Sequence, residues 1–251
     1  MAYTSNREDG LLLSRLEDLC TGAEKYYRPC FLGFLDERQQ RLCKDALKYR
    51  GVTCRFYGGY GEAERTFLGV SPLEEISDEE FPLGCVQILY RECEALTHRD
   101  ILGSLMGLNI KRESVGDIVV ESGRAWVFLA RPVVPVVAGE LSKVGRSGVK
   151  CQEVPCGELP VQKSFQEISG TISSLRLDCA AAFLAKTSRS EAAQLVASGR
   201  VALDGLPEED AARQLWEGCK VSIRGCGKFI YDGQNGLSKK NKLRVIFRKY
   251  I

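Results

Sequence analysis

The stretch 187–199 constrains the fold most, because it carries both a start signal and a stop signal for one short helix. Ser188 and Glu191 stand three residues apart and form a capping box, which predicts a helix that begins directly after Ser188. Apolar residues follow at helical spacing between 192 and 196, and Gly199 is placed to end the helix in a left-handed conformation.

Cations lie at the predicted start of this helix. Arg189 and Ser190 fall in its first turn, where backbone N–H groups and the helix dipole favour an anion. Asp204 and Gly205 follow a short apolar run and are typical of a tight β-turn. We therefore expect a helix–strand surface that can bind phosphate.

The sequence around this surface resembles a known RNA-binding domain. The segments RLD from residue 176, SRSEAAQLVASGRVALDG from residue 188 and WEGCKVSIRG from residue 216 are similar to the landmarks of the domain named after small-subunit ribosomal protein S-four. The resemblance covers most of residues 171–235. It implies RNA contacts by Arg176, Lys186, Arg189, Ser190 and Arg200.

The chain departs from the S-four pattern at three places. Asp204 stands where Asn is frequent, Cys219 stands where Asp is frequent, and residues 208–210 are acidic where relatives are frequently basic. Asp tolerates the turn conformation, so we expect the turn to persist. We expect the acidic loop to repel phosphate and to narrow the contact face.

Basic charge is concentrated in the same part of the chain. The 251 residues carry a net charge of only +2, but residues 171–251 contain fourteen Lys and Arg against eight Asp and Glu. The remainder contains 21 against 25. This is the electrostatic footprint expected of a phosphate-binding surface, although a solvated basic face explains charge alone equally well.

Composition favours a globular cytoplasmic protein. No apolar run approaches the roughly 20 residues of a membrane helix, and the N-terminus does not resemble a signal peptide. We expect no membrane contact and a monomer. The eleven cysteines lack paired spacing and His98 is the only histidine, so we expect reduced thiols, no metal site and no cofactor.

Residues 85–154 show the element order of a ferredoxin-like fold. Strands are predicted at 85–90, 117–121, 125–130 and 149–154, with one helix capped by Thr97 and another opened by Pro132. RRM-type RNA binders share this βαββαβ order. Trp126 and Phe128 lie on one face of the third strand, where an RRM stacks bases; a core role is the commoner one for such a pair.

The preceding region is predicted to be an N-terminal α/β domain, with helices at 11–26 and 37–48 and a strand at 52–57. A Tyr-Gly-Gly-Tyr segment, residues 57–60, follows the strand. Its glycines permit positive φ and close backbone approach, and its tyrosines can stack on bases. A tight turn with packed tyrosines is the favoured interpretation.

The C-terminus is predicted to be a second nucleic-acid surface. It combines glycines with Lys228, Lys239, Lys240 and Lys242, and it ends in a predicted strand at 245–247. Glycines let backbone amides approach phosphates, while lysines supply a salt-dependent attraction.

Landmarks along nearly the whole chain resemble the bacterial YlmH family. They are FYGGY from residue 56, AER from 63, HRDILG from 98, KRE from 111, GDI from 116 and RGCGKF from 224. The resemblance implies an α+β protein with an N-terminal α/β domain (1–76), an RRM-like, ferredoxin-like domain (77–160) and an S-four-like domain with a basic tail (171–251).

The same resemblance implies a non-enzymatic, ribosome-associated factor that acts in rescue or quality control of stalled translation. It implies binding to rRNA and tRNA on large subunits that carry peptidyl-tRNA, with other quality-control factors as further candidate partners. A second group of candidate RNA or ribosome contacts comprises Tyr57, Tyr60, Arg65, His98, Arg99, Lys111 and Arg112.

Two other functions remain open. Pseudouridine synthases and tyrosyl-tRNA synthetases also carry S-four domains, but the first need a separate catalytic domain and the second need a His-rich ATP motif that a chain with one histidine lacks. We find no nucleophile–base pair and no paired carboxylates in the sequence, so we expect no enzyme. A cell-division adaptor that binds proteins is the other alternative.

Overall fold

Helices and antiparallel sheets alternate along the chain in the computed structural model, which describes residues 7–72, 75–157, 165–238 and 240–250. The fold is α+β, with several sheets that each pack against helices. The chain divides into two compact units, Met1–Val161 and Gln162–Ile251.

The first unit begins with a three-stranded antiparallel sheet in the order β1-β3-β2. Its elements are α1 (Arg7–Tyr26), β1 (Cys30–Leu35), α2 (Glu37–Leu47), β2 (Thr53–Tyr57) and β3 (Thr66–Ser71). Helices α1 and α2 pack on one face of the sheet through residues such as Leu16, Cys43 and Leu68. The predicted helices and the strand at 52–57 are confirmed, and Asp36 caps α2 with a complete capping box.

A four-stranded antiparallel sheet follows in the order β5-β6-β4-β9. Its elements are β4 (Leu83–Leu89), α3 (His98–Gly107), β5 (Val115–Glu121), β6 (Arg124–Ala130), α4 (Val134–Glu140), the two-stranded pair β7 (Lys143–Val144) and β8 (Ser147–Gly148), and β9 (Lys150–Val154). Single 3-10 turns lie at Asp78–Glu80, Arg112–Ser114 and Arg131–Val133. The four predicted strands and the Thr97 cap are confirmed, while Pro132 opens a 3-10 turn before the α-helix begins.

Each face of the four-stranded sheet is covered. One face packs on α3 and α4 through Val86, Val127 and Ile101. The other face packs on aromatic residues of the first sheet, and together they form a shared core around Phe34, Phe67 and Phe128.

The second unit is one six-stranded antiparallel sheet with two helices, in the order β10-β15-β14-β13-β11-β12. Its elements are β10 (Phe165–Ile172), α5 (Leu177–Ala185), α6 (Arg189–Ala197), β11 (Val201–Leu203), β12 (Leu206–Pro207), β13 (Lys220–Ile223), β14 (Gly227–Leu237) and β15 (Leu243–Tyr250). Helices α5 and α6 pack against the sheet face that carries Phe229 and Phe247.

The basic C-terminus is a structured hairpin rather than a tail. Strands β14 and β15 pair in register from Phe229 to Leu237, with two bulges, and β15 also pairs along its length with β10. The predicted strand at 245–247 is therefore the middle of a longer one. Gly233 and Gly236 lie at the two bulges of the hairpin, and both have positive φ.

Candidate nucleic-acid interface at the start of α6

The predicted capping box starts α6. Ser188 accepts a hydrogen bond from the N–H of Glu191 at 3.2 Å, and the Glu191 carboxylate accepts from the N–H of Ser188 at 3.0 Å. Two donors that a helix start leaves unpaired are thereby satisfied. Gly199 has a φ of +67°, as predicted for the end of the helix. These local signals fix where the first turn begins and leave Arg189 and Ser190 exposed on it.

A buried carboxylate lies beneath this turn. Asp178, at the start of α5, is only 4% exposed and accepts hydrogen bonds from Arg189 Nε at 2.9 Å and from Arg176 at 3.2 Å. Burial alone would raise the pKa of Asp178, but hydrogen bonds from Arg176, Arg189 and Cys179 hold it below its usual range. The carboxylate thus stays ionised and fixes both guanidinium groups. We call Arg176, Asp178 and Arg189 the Asp178 cluster.

Two other predicted residues lie at the C-terminal ends of the two helices of the second unit. Lys186 ends α5 in a left-handed conformation (φ 53°), and its side chain is exposed. Arg200 is exposed directly after α6, and its carbonyl accepts the N–H of Arg224 at 3.0 Å. Arg224 is a further exposed cation, which the sequence reasoning treated only as part of a glycine-rich landmark.

The acidic loop is engaged in its own turn. Glu208 accepts from the N–H groups of Glu209 and Asp210, and Asp210 accepts from the N–H of Ala212. Arg213 lies 3.7 Å from the Glu208 carboxylate. Part of the negative charge that was expected to repel phosphate is therefore balanced locally.

The lysines of the C-terminal hairpin lie in two places. Lys240 and Lys242 are exposed in the turn between β14 and β15. Lys228 is half-buried on β14, with its ammonium 5.4 Å from the ring centroid of Tyr250. Lys239 lies outside the described residues.

The middle sheet offers no aromatic platform. Trp126 is 4% exposed and Phe128 is fully buried, because the ring of Tyr60 stacks on Phe128 at 4.8 Å between centroids. Tyr60 was predicted as a candidate RNA contact, but it is 7% exposed and belongs to the core. The sequence of the middle domain gives no sign of this burial, because the residues that cover its sheet come from the part of the chain before residue 77.

Gly58 and Gly59 allow the backbone before Tyr60 to pack closely against Arg65 and Phe128. A Cβ on Gly58 would lie 2.4 Å from the Arg65 carbonyl, and a Cβ on Gly59 would lie 2.3 Å from the Phe128 ring. Gly59 also has a φ of +99°, which L side chains rarely adopt. The tight turn favoured from the sequence is thus present, and its role is to seat Tyr60 on the second sheet.

Asp117 and Arg65 complete this junction. Asp117 accepts hydrogen bonds from the Tyr60 hydroxyl at 2.7 Å and from the N–H groups of Glu64 and Arg65 at 2.7 and 3.0 Å. The Arg65 side chain donates to the carbonyls of Val115 and Phe34. Arg65 was predicted as an RNA contact; in the structure its guanidinium joins the two sheets.

The remaining candidates of the second group lie nearer the surface. His98, Arg99 and Lys111 are exposed, whereas Arg112 is half-buried and donates to the Val115 carbonyl. Loss of hydration and the nearby charge of Arg112 lower the pKa of His98. Tyr57 is half-buried against Phe81, and burial raises its pKa to about 12.

No group of three His, Cys, Asp or Glu side chains is arranged to hold a metal ion in the described parts of the chain. All eleven cysteines are free thiols, five of them buried. Within the ranges that the structure covers, no helix is both long and apolar enough to span a membrane.

Comparisons with known proteins agree on one family. Residues 77–158, which include the four-stranded sheet, match the family model described as "Putative RNA-binding domain in YlmH". The chain is 32% identical over 230 residues to the Ribosome-associated protein quality control protein P2 of Bacillus subtilis (strain 168), covering 90% of this chain and 89% of that one. It also resembles the solved structure of the Cell division protein ylmH from Streptococcus pneumoniae, with a TM-score of 0.52, 26% identity, and coverage of 62% of this chain and 96% of that one. With a relative of 32% identity that is matched over 89% of its length, the chain belongs to the YlmH family.

Proposed function

We propose that this protein is a non-enzymatic RNA-binding factor that acts on the large ribosomal subunit in rescue or quality control of stalled translation. The observation that carries the proposal is the Asp178 cluster, where one buried carboxylate orients the half-buried Arg176 and the exposed Arg189 at the starts of α5 and α6. Oriented arginines bind phosphate oxygens with fixed geometry. The name of the Bacillus relative supports the ribosomal role.

The fold supports the same proposal. We infer that the sheet order β5-β6-β4-β9 with α3 and α4 on one face is a ferredoxin-like domain, 77–160, and that residues 1–76 form an N-terminal α/β domain joined to it. The unit after residue 161 fits an S-four-like domain, 171–251, because the helix pair and the Asp204-Gly205 turn match its landmarks.

The partners we propose are rRNA and tRNA on large subunits carrying peptidyl-tRNA, together with other quality-control factors. We infer a cytoplasmic, ribosome-associated monomer. Phosphate contacts are assigned to Arg176, Lys186, Arg189, Ser190 and Arg200, and to Lys228, Lys239, Lys240 and Lys242 of the C-terminal hairpin. The burial of Tyr60 and Trp126 moves any RNA contact of the middle domain to its edge, near His98, Arg99 and Lys111.

Co-sedimentation with large subunits tests this assignment. Arg176 and Arg189 are replaced together by Gln, because Glu would place three acids around one site. Loss of two oriented phosphate contacts should weaken sedimentation at least tenfold and reduce its salt dependence by about two counterions. Arg124→Gln is the control, since Arg124 is 45% exposed and lies on the other unit. A folded double variant that sediments like the control would show that the assigned face is wrong.

A second function has one observation in its favour. The Streptococcus relative is named a cell division protein, which fits an adaptor that binds proteins. Recovery of a protein partner that persists after RNase treatment would favour this adaptor role over RNA binding. Neither relative is named as an enzyme, and modified nucleosides in RNA incubated with the pure protein would be needed to revive that possibility.

A further inference from the structure

An exposed tryptophan lies on the same surface as the Asp178 cluster. Trp216 is 39% exposed, whereas its neighbour Leu215 is 5% exposed and packs in the core of the second unit. Large aromatic side chains are usually buried, so an exposed indole beside cations suggests a ligand.

Backbone pairing places this tryptophan beside Arg176. Arg176 and Gln214 form an isolated antiparallel bridge, and the N–H of Leu215 donates to the carbonyl of Leu175 at 2.8 Å. Arg213, Gln214 and Trp216 are exposed around the buried Leu215, and Arg176 lies half-buried opposite Gln214, so these side chains meet solvent along one stretch of paired backbone.

A second arginine accompanies the indole. The guanidinium of Arg213 lies 5.9 Å from the ring centroid of Trp216, and its side chain is 50% exposed. Arg213 is held in place from both sides, because its carbonyl accepts the N–H of Leu177 and its Nε lies 3.7 Å from the Glu208 carboxylate. A cation at this distance interacts favourably with an indole ring and adds to the attraction for a phosphate.

These residues form one continuous surface, which we call the arginine–tryptophan surface: Arg189, Arg176, Arg213 and Trp216. Arg176 connects its two ends, since it donates to Asp178, which Arg189 also contacts, and pairs with Gln214 next to the tryptophan segment. Phosphate-binding groups and a base-stacking group therefore stand side by side.

We propose that the arginine–tryptophan surface binds an unpaired RNA nucleotide, with the base stacked on Trp216 and the adjoining phosphate held by Arg176 and Arg189. This deepens the proposed function and rests on it. An unpaired nucleotide is required because the bases of a duplex are already stacked and cannot reach a flat indole. Stacking on an aromatic ring accepts every base, so this contact selects for strand state rather than sequence.

Intrinsic fluorescence tests the proposal directly, because the chain has two tryptophans and Trp126 is only 4% exposed. The full chain is titrated with a single-stranded oligouridylate and, separately, with a blunt-ended RNA duplex of equal length, which has no unpaired nucleotide. We expect the oligouridylate to quench emission and to shield it from acrylamide. Trp216→Phe should lose the quenching signal but keep the affinity within about twofold, since a phenyl ring still stacks.

Trp216→Ala should weaken oligouridylate binding roughly five- to a hundredfold, as expected for one lost base–aromatic stack, and should weaken duplex binding less. Affinity is measured by anisotropy of labelled RNA, and thermal melting checks the fold of each variant. If oligouridylate binds without changing the emission, and Trp216→Ala and Trp216→Phe bind it as tightly as the unaltered chain, the stacking proposal is overturned while the proposed function stands. Loss of a protein partner in Trp216→Ala at unchanged RNA affinity would also overturn it. If neither RNA nor large subunits bind the unaltered chain, the proposed function itself fails.

Discussion

At the scale of single residues, one carboxylate organises the candidate interface. Asp178 is buried, and a buried charge is costly unless it is paired and hydrogen-bonded. Its partners Arg176 and Arg189 have side chains that are 36% and 55% exposed, so their remaining donors face solvent. The carboxylate of Asp178 therefore contributes to the stability of the fold, while the guanidinium groups of Arg176 and Arg189 can bind an anion at the surface.

Replacing Asp178 by Asn keeps the shape of the side chain and removes its charge. We expect a loss of about 1–3 kcal/mol in the free energy of unfolding at pH 7, because the ion pairs with Arg176 and Arg189 are lost and one acceptor oxygen is replaced by an NH2 donor. The folded pKa of Asp178 is lowered from its usual 3.8, so its contribution is present above that pH and lost as pH falls through the folded pKa. The difference between the variant and the unaltered chain should therefore shrink below about pH 4.

Urea unfolding between pH 3 and pH 7 measures both effects. Asp210→Asn is a suitable control, because Asp210 is exposed and an Asn there can still accept the N–H of Ala212. A difference that stays constant down to pH 3 would contradict an ionised, paired Asp178.

At the scale of elements, short signals along the chain determine where helices start. The caps at Asp36, Thr97 and Ser188 all form complete capping boxes, and each was readable from two residues. For α6 the cap has a functional consequence, since it decides which residues occupy the first turn.

Ser188→Ala should lower the stability of the second unit by about 1 kcal/mol, because the N–H of Glu191 loses its acceptor. Ser190→Ala removes a neighbouring exposed hydroxyl that takes no part in the capping box and should change stability by less than about 0.5 kcal/mol. Thermal melting of the two variants gives the comparison. Equal melting temperatures would show that the capping box does not hold the helix start.

Features that depend on neighbouring residues could be predicted from the sequence, and features that depend on distant contacts could not. Helix starts, the Asp204-Gly205 turn and the four strands between 85 and 154 depend on neighbouring residues and were predictable. Strands β1 and β3 were not predicted. Strand β3 is buried at every position, and β1 is at least half-buried at every position, so neither shows the alternation that marks a strand.

Contacts between distant segments could not be predicted in the candidate site either. Arg176 and Arg189 were predicted from the resemblance to the S-four domain. Their common partner Asp178 was noted only as part of the RLD segment, and its hydrogen bonds to both arginines were not predicted. Trp216 was likewise read as a landmark, since its position beside Arg176 depends on a bridge across 38 residues of chain. The Tyr-Gly-Gly-Tyr segment shows the opposite error, because residues that suit base stacking equally suit a packed junction.

At the scale of the whole molecule, two sheets of the first unit share one aromatic core and one half-buried acceptor, Asp117. Phe34 and Phe67 of the first sheet pack with Trp126 and Phe128 of the second. A shared core of this kind should make residues 7–72 and 75–157 unfold together rather than one after the other. Asp117 is the point at which this cooperativity can be tested.

Asp117→Ala removes the acceptor of the Tyr60 hydroxyl and of two backbone N–H groups. Leaving the buried Tyr60 hydroxyl and two half-buried N–H groups unpaired should cost about 2–4 kcal/mol in total, which corresponds to roughly 30- to 800-fold faster amide exchange. We expect the same factor in β3 and in β6, although Asp117 lies on β5, and no change in residues 165–238 and 240–250, because Asp117 accepts these hydrogen bonds from Tyr60, Glu64 and Arg65 of the first unit. Asp45→Ala is the control, since Asp45 is 63% exposed and its pair with Arg41 contributes little. Faster exchange in only one of the two sheets would show that they are independent domains that happen to touch.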